Sequence, residues 1–436
     1  MRRLATRDPG FAAAFAALLG ETRAEAENLR APVAEIIRAV RARGDEALAE
    51  FTARFDGFTP GAPPLRVSAD EIAAARASLS PGLAEALDLA ASRIAAFHER
   101  QRPADFAQTD ATGLRLGLRW TALDAVGLYV PGGKASYPSS VLMNAIPARI
   151  AGVARIAMCV PAPGGALNPL VLAAAARAGV SEIWRIGGAQ AIAALAYGTA
   201  SIAPVDRIVG PGNAYVAEAK RQVHGDVGID AIAGPSEVVV LADAANDPRH
   251  VAIDLLAQAE HDEAAQAILI TDDAGFAERV IAAVAEALPQ LPRAAIAAAS
   301  WRDHGAVIVV ADWVEAASLV DRLAPEHLEL MLAEPEAVFA RVRHAGAAFL
   351  GRFCPEALGD YIAGPNHVLP TSRSARFASG LSVYDFLKRT TWIAADDAAP
   401  LAALAPAAIA LAEAEGLDAH ARSLALRLPR RSLAGR

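Results

Sequence analysis

The sequence predicts an α/β fold of parallel sheets covered by helices, and three observations predict it. From about residue 116, short Val- and Ile-rich runs alternate with Ala-rich helical stretches. The runs are continuously apolar, as strands buried on both faces are. Gly-rich turns punctuate the junctions between run and helix. With 436 residues and a hydrophobic fraction of 54%, the chain has material for two or three cores.

In chain order, residues 1 to about 105 read mostly as helix, with apolar positions recurring at three and four over 33–40 and 72–79. Strands follow at 125–130, 155–160, 182–186 and 207–209, separated by helices such as 169–178 and 189–197. A second set has strands at 238–241, 267–270 and 306–310, with helices over about 248–261 and 274–287. Asp247-Pro248 is a good N-cap and first-turn pair for the former. After about 395 the chain reads as helix again, ending in a basic tail over 427–436. There is no repeat at a solenoid period and no low-complexity linker.

Composition excludes several classes. The net charge of −8 and the lack of a basic stripe argue against nucleic-acid binding and against anionic membranes. The longest apolar stretch, 399–411, is broken by Pro400 and Pro406, so no membrane span is expected. Arg2-Arg3 before the apolar 11–19 faintly imitates a leader. Asp8, Pro9 and a charged helix over 21–30 argue against one, and a cytoplasmic chain is expected. Cys159 and Cys354 form no CxxC, so any metal must be held by nitrogen and oxygen.

Four Gly-rich turns sit after expected strands: Val130-Pro-Gly-Gly133, Ile186-Gly-Gly-Ala-Gln190, Val209-Gly-Pro-Gly-Asn213 and Ala233-Gly-Pro-Ser-Glu237. Together on one sheet edge they suggest a ligand crevice. Tyr215 occupies the third glycine position of the nearest G-x-G-x-x-G match, so the dinucleotide fingerprint is absent. Gln258 and His261 stand three apart near a helix end, as a solvated polar end or as two metal ligands. Glu326-His327 follows Pro325. An imidazole is the natural acceptor for an alcohol proton and a carboxylate can activate water, although such a pair is also common on surface turns. Asp360 and His367 lie in a Gly/Pro-punctuated loop, where polar residues are more often ligand contacts than packing. Glu415 and His420, five apart, would not share a helix face unless Gly416 ended one helix and Asp418 capped the next. The remaining histidines, His98, His224, His250, His304 and His344, receive no role.

In this order, Tyr-Val-Pro-Gly-Gly, Gly-Gly-Ala-Gln, Gly-Pro-Gly-Asn-Ala-Tyr-Val, Ala-Gly-Pro-Ser-Glu, Gln-Ala-Glu-His, Pro-Glu-His-Leu-Glu, Gly-Asp-Tyr-Ile-Ala-Gly-Pro-Asn-His-Val-Leu-Pro-Thr and Glu-Gly-Leu-Asp-Ala-His resemble the histidinol dehydrogenases, from about residue 30 to 425. The resemblance implies two NAD-linked oxidations of L-histidinol, through the aldehyde to L-histidine, the last steps of histidine biosynthesis. It implies one zinc per subunit, held by Gln258, His261, Asp360 and His420. It makes His327 the general base and Glu326 the residue that activates water. Ser236, Gln258, His261, His327, Asp360, His367, Glu415 and His420 would meet substrate, and Tyr129, Gln190 and Asn213 would meet NAD.

The implied architecture is two incomplete Rossmann-like domains with helical terminal segments that build a homodimer. The division runs 1–25, 26–128 with 238–380, 129–237, and 381–436. The C-terminal segment would complete the partner's site, which resolves the spacing of Glu415 and His420. Cys354 departs from the pattern, standing where a small hydroxyl residue is expected. A related zinc and NAD dehydrogenase of another small alcohol, such as a sulfonated diol, is the alternative, but it should lose the imidazole-recognising Glu415 and Asn366-His367. A non-catalytic metal-stabilised descendant should show damage at Glu326, His327 or the ligand set, and none is present.

Overall fold

The computed structural model describes residues 1–20, 29–61, 63–132, 137–232 and 234–428. Gly133, Ala233, most of the expected 21–30 helix and most of the basic tail lie outside the described residues. The strands are β1 (Arg2–Ala5), β2 (Phe106–Thr109), β3 (Arg115–Ala122), β4 (Ala125–Tyr129), β5 (Arg155–Val160), β6 (Glu182–Arg185), β7 (Arg207–Val209), β8 (Gly228–Ile229), β9 (Glu237–Ala242), β10 (Gln266–Thr271), β11 (Ala306–Val309), β12 (His327–Met331), β13 (Ala347–Leu350) and β14 (Leu387–Ala394). The helices are α1 (Phe11–Leu19), α2 (Arg30–Arg43), α3 (Asp45–Asp56), α4 (Ala69–Ala77), α5 (Pro81–Glu99), α6 (Pro138–Ala151), α7 (Pro169–Ala178), α8 (Gly188–Tyr197), α9 (Ala214–Val223), α10 (Pro248–Ala259), α11 (Ala274–Ala287), α12 (Ala294–His304), α13 (Trp313–Leu323), α14 (Pro335–Phe339), α15 (Glu356–Tyr361), α16 (Ala399–Ala414) and α17 (Asp418–Ala425).

The chain divides into two compact units, Met1–Gln101 with Leu123–Phe386, and Arg102–Ala122 with Leu387–Arg436. The first unit holds two parallel sheets. One has the order β1-β11-β10-β9-β12-β13. Every residue of β9 and β10 is buried, because helices cover both faces. Alternation along the strands divides the core: Val238, Val240 and Leu269 face Leu255, Phe276 and Val280, while Val239, Leu241 and Ile268 face Phe15, Leu319 and Val320. The expected cap of α10 is present, with the Asp247 side chain accepting the Arg249 N–H.

The second parallel sheet has the order β6-β5-β4-β7-β8. Its core includes Val33, Ile36 and Val40 of α2 and Leu48 and Phe51 of α3, packed with Ala191, Ile192 and Leu195 of α8. The sequence division groups 26–128 with the other sheet instead. The Ala-rich α8 presents a low surface that a bulky Val/Ile stripe can approach closely, a preference that helical periodicity does not reveal.

Several elements differ from the sequence expectation. Residues 2–5, expected as helix, form β1, an edge strand whose hydrogen bonds come from β11. The Glu326-His327 pair, expected on a turn, opens the buried strand β12. In the second unit, Leu387–Ala394 is not helix but the strand β14, antiparallel to β3, which also pairs with β2. Gly117 is needed there, because a Cβ would lie 2.1 Å from the Trp392 ring. α16 and α17 follow. Gly416, at φ +71, ends the first as expected, but Leu417 holds the N-cap position and Asp418 is the first helical residue. Among the described residues, no helix is long and apolar enough to cross a membrane.

Candidate active site

The polar residues converge at the amino edge of the six-stranded sheet. α13 ends at Ala324, whose left-handed backbone (φ 46) turns the chain through Pro325 into β12. That turn sets Glu326 just before the strand and His327 at its first position, opposite Val238 of β9. Both side chains are buried. α10 contributes Gln258 from its last turn, with His261 just beyond it, and α15 contributes Glu356 and Asp360 one turn apart. Ser236, half-buried, immediately precedes β9 at the same edge.

His327 Nδ1 lies 3.1 Å from the Glu237 carbonyl and 3.2 Å from Gln258 Oε1. Both are acceptors, so Nδ1 carries the proton and donates it, leaving the Nε2 lone pair available as a base. Glu326 Oε2 accepts the Glu237 N–H at 2.9 Å, so the β9 backbone orients both members of the pair. Gln258 Nε2 is 3.3 Å from His261 Nδ1. Glu356 Oε1 stands 3.6 Å from His327 Nδ1, and ligand-type atoms of His327, Glu356 and Asp360 all lie within 4.8 Å of one another.

His367 Nδ1 donates to the Asp360 carbonyl at 2.9 Å, and its Nε2 is 3.4 Å from Ser140 Oγ on α6. The five-stranded half of the unit thus reaches the same cluster. The loop carrying His367 is held from behind by α5. Arg93 donates to the Ile362 and Ala363 carbonyls, and the buried His98 faces Asn366 Nδ2 at 3.4 Å.

Burial dominates the electrostatics. It lowers His327 to about 3 and His367 to about 4, with His261 and His367 adding to the effect on His327. His261, exposed as a residue just beyond α10, has its ring desolvated by the cluster and is lowered as well, partly offset by Asp360. All three rings are therefore neutral near pH 7 and able to accept a proton or bind a metal. The acids move the other way. Burial raises Asp360, and burial with Asp360, Glu329, Glu326 and Asp254 nearby raises Glu356 far more. Burial likewise raises Glu329 and Asp254. Neither Glu356 nor Asp360 forms an ion pair with Lys or Arg among the described residues. Neutral imidazoles beside uncompensated buried carboxyls form a donor set suited to a divalent cation.

Three of the Gly-rich turns lie at the carboxyl ends of β4, β6 and β7, and the five-stranded sheet reverses its order between β4 and β7. Gly210, at φ +106, follows β7 so closely on β4 that a Cβ would sit 2.1 Å from the Tyr129 carbonyl. Tyr129, buried at the end of β4, accepts the Gly188 N–H on its hydroxyl. Gln190 is 1% exposed, and neither atom of its amide has a partner among the described residues. A buried, unanswered amide at a strand-to-helix turn fits a polar ligand. Asn213 is exposed and caps α9 by accepting the Tyr215 and Val216 N–H groups. The fourth turn departs from the expectation of one shared edge, because Gly234-Pro-Ser-Glu237 leads into β9 of the other sheet.

Glu415 and His420 belong to the second unit, at the end of α16 and within α17, and both are exposed. The remaining metal and catalytic residues expected from sequence come together in the first unit. Sequence reasoning missed Glu356, Glu329, Asp254, Ser140 and the His98 contact. A usable signal was present: Asp254 precedes Gln258, and Glu356 precedes Asp360, by one helical turn.

A family model for histidinol dehydrogenase matches residues 20–428. A histidinol dehydrogenase of Gluconobacter oxydans is 65% identical over 428 residues, covering 98% of this chain and 99% of that protein. One of Rhodospirillum rubrum is 62% identical over 429 residues, covering 98% and 99%. The crystal structure of a histidinol dehydrogenase from Elizabethkingia anophelis superposes with a TM-score of 0.93 at 36% identity, covering 98% of each chain.

Proposed function

The chain belongs to the histidinol dehydrogenase family, and from that premise we propose that it is a zinc-dependent enzyme oxidising L-histidinol through L-histidinal to L-histidine with two NAD. The observation that carries the reading is the convergence of Gln258, His261, Glu326, His327, Asp360 and His367 at one sheet edge. Gln258, His261 and Asp360, with His420, would hold one zinc per subunit: an amide, two imidazoles and a carboxylate, without thiolate. When bound, zinc supplies a template for the substrate's amino and imidazole nitrogens, and NAD supplies the hydride acceptor.

The remaining chemistry belongs to the chain. His327, its Nδ1 proton tied to Glu237 and Gln258, takes the substrate hydroxyl proton on Nε2. Glu326, fixed by the Glu237 N–H, takes the proton of the water that attacks the aldehyde, giving the hydrate needed for the second oxidation. Ser236, His367 and Glu415 would complete the substrate pocket, and Tyr129, Gln190 and Asn213 the NAD side. Gln190 favours that assignment, since an incoming ligand would answer its unpartnered amide. A homodimer in which α17 serves the partner's site accounts for an exposed His420. It also accounts for the apolar surface at Phe106, Ile393, Leu411 and Leu426 of the second unit. The acidic composition and a biosynthetic role suit the cytoplasm.

Metal analysis of purified protein tests the ligand set. Wild type should carry about one zinc per chain, and His261→Ala, Asp360→Asn and His420→Ala should each carry well under half as much. Full zinc occupancy in any of the three would remove that residue from the set.

A further inference from the structure

Glu329 has no part in the chemistry above, yet it sits in the middle of β12 between Leu328 and Leu330 with no exposure. A carboxyl group there is costly unless both oxygens are satisfied. Its Oε1 accepts the Glu356 N–H at 2.5 Å, at the first residue of α15, where Pro355 offers no side-chain cap. Its Oε2 has no donor within reach. The group facing Glu329 on the remaining side is the half-buried Asp254 carboxyl of α10. Two facing carboxyl groups bond when they share one proton, so Glu329 can pair with Asp254 while accepting from Glu356.

Three elements meet at this side chain. β12 carries His327 two residues earlier and on the same strand face. α10 carries Asp254 one turn before Gln258, with His261 beyond. α15 carries Glu356 one turn before Asp360. We infer that Glu329 is a positioning residue that bridges α10 and α15 and so sets Gln258, His261 and Asp360 at metal-binding distance around His327. The inference rests on the zinc reading above. Gly359, where a Cβ would strike the Phe349 ring at 2.6 Å, keeps α15 close enough to β13 for the bridge to form.

The test is zinc affinity of the full chain, measured by competition with a chromophoric chelator, with circular dichroism to verify folding. Glu329→Gln keeps an acceptor for Glu356 and a donor for Asp254, and should bind zinc within about threefold of wild type. Glu329→Leu should lose about 10–100-fold, and Asp254→Ala, at a half-exposed helix position, about tenfold. A folded Glu329→Leu with wild-type affinity, or a Gln variant as weak as Leu, overturns the bridge. If Glu329→Leu does not fold, Asp254→Ala decides alone, and unchanged affinity there overturns it. His261→Ala is measured in parallel. Unchanged zinc binding by that variant would overturn the metal reading and the bridge together, whereas the results above overturn the bridge only.

Discussion

Glu326 and His327 are chain neighbours, but the same residue of β9 fixes them from two sides, one through the Glu237 N–H and one through its carbonyl. Their tasks are separable. Glu326→Gln removes a proton acceptor for water and leaves the imidazole in place. It should slow oxidation of L-histidinal by about 10²-fold or more while slowing L-histidinol oxidation less than about tenfold. Assays started from each substrate check this, and equal slowing would contradict the role given to Glu326. His327 also carries a pH signature. Its folded value, near 3, lies below the ordinary histidine value of 6.5. Its stabilising contribution is therefore complete above about 6.5 and is lost as the pH falls toward 3. In metal-free protein, His327→Asn should lose less stability than wild type between pH 6.5 and 4 in denaturant titrations. Parallel pH dependences would show that burial does not hold this ring neutral.

At the scale of elements, the turn after β7 couples the two strands at the sheet's reversal. Gly210→Ala would force a side chain into a left-handed conformation and against the Tyr129 carbonyl. It should cost about 2 kcal/mol or more. It should also raise the KM for NAD at least about tenfold while the KM for histidinol changes less than about threefold. The converse pattern would move NAD away from this edge. Much of this level was legible in the sequence. The continuous apolar runs gave β4, β5, β7, β9 and β10 nearly to the residue, because strands buried on both faces need no context to be recognised. β1 and β14 were not legible. Arg2-Arg3-Leu4-Ala5 has no strand pattern of its own, and the exposed Lys388-Arg389-Thr390 stretch becomes strand through pairing with β3. β12 was hidden because Glu326, His327 and Glu329 interrupt its apolar run. In the site, ordered motifs pointed to the proposed ligand and base residues, whereas Glu329, Asp254 and Glu356, which the fold brings together, were not singled out in the sequence.

For the whole molecule, the proposed base and three of the four proposed zinc ligands lie in the first unit, and His420 and Glu415 lie in the second. If the C-terminal segment serves the partner's site, two inactive variants should complement. His261→Ala and His420→Ala chains, unfolded and refolded together, should recover about a quarter of wild-type activity, from one intact site in each mixed dimer. No recovery would place His420 in its own chain's site. The most direct test of the central claim is NADH formed from a limiting amount of L-histidinol by metal-analysed protein, before chelation, after it, and after zinc is returned. The account predicts two NADH per histidinol, lost on chelation and restored by zinc. Fully zinc-loaded protein that forms no NADH from L-histidinol would contradict it.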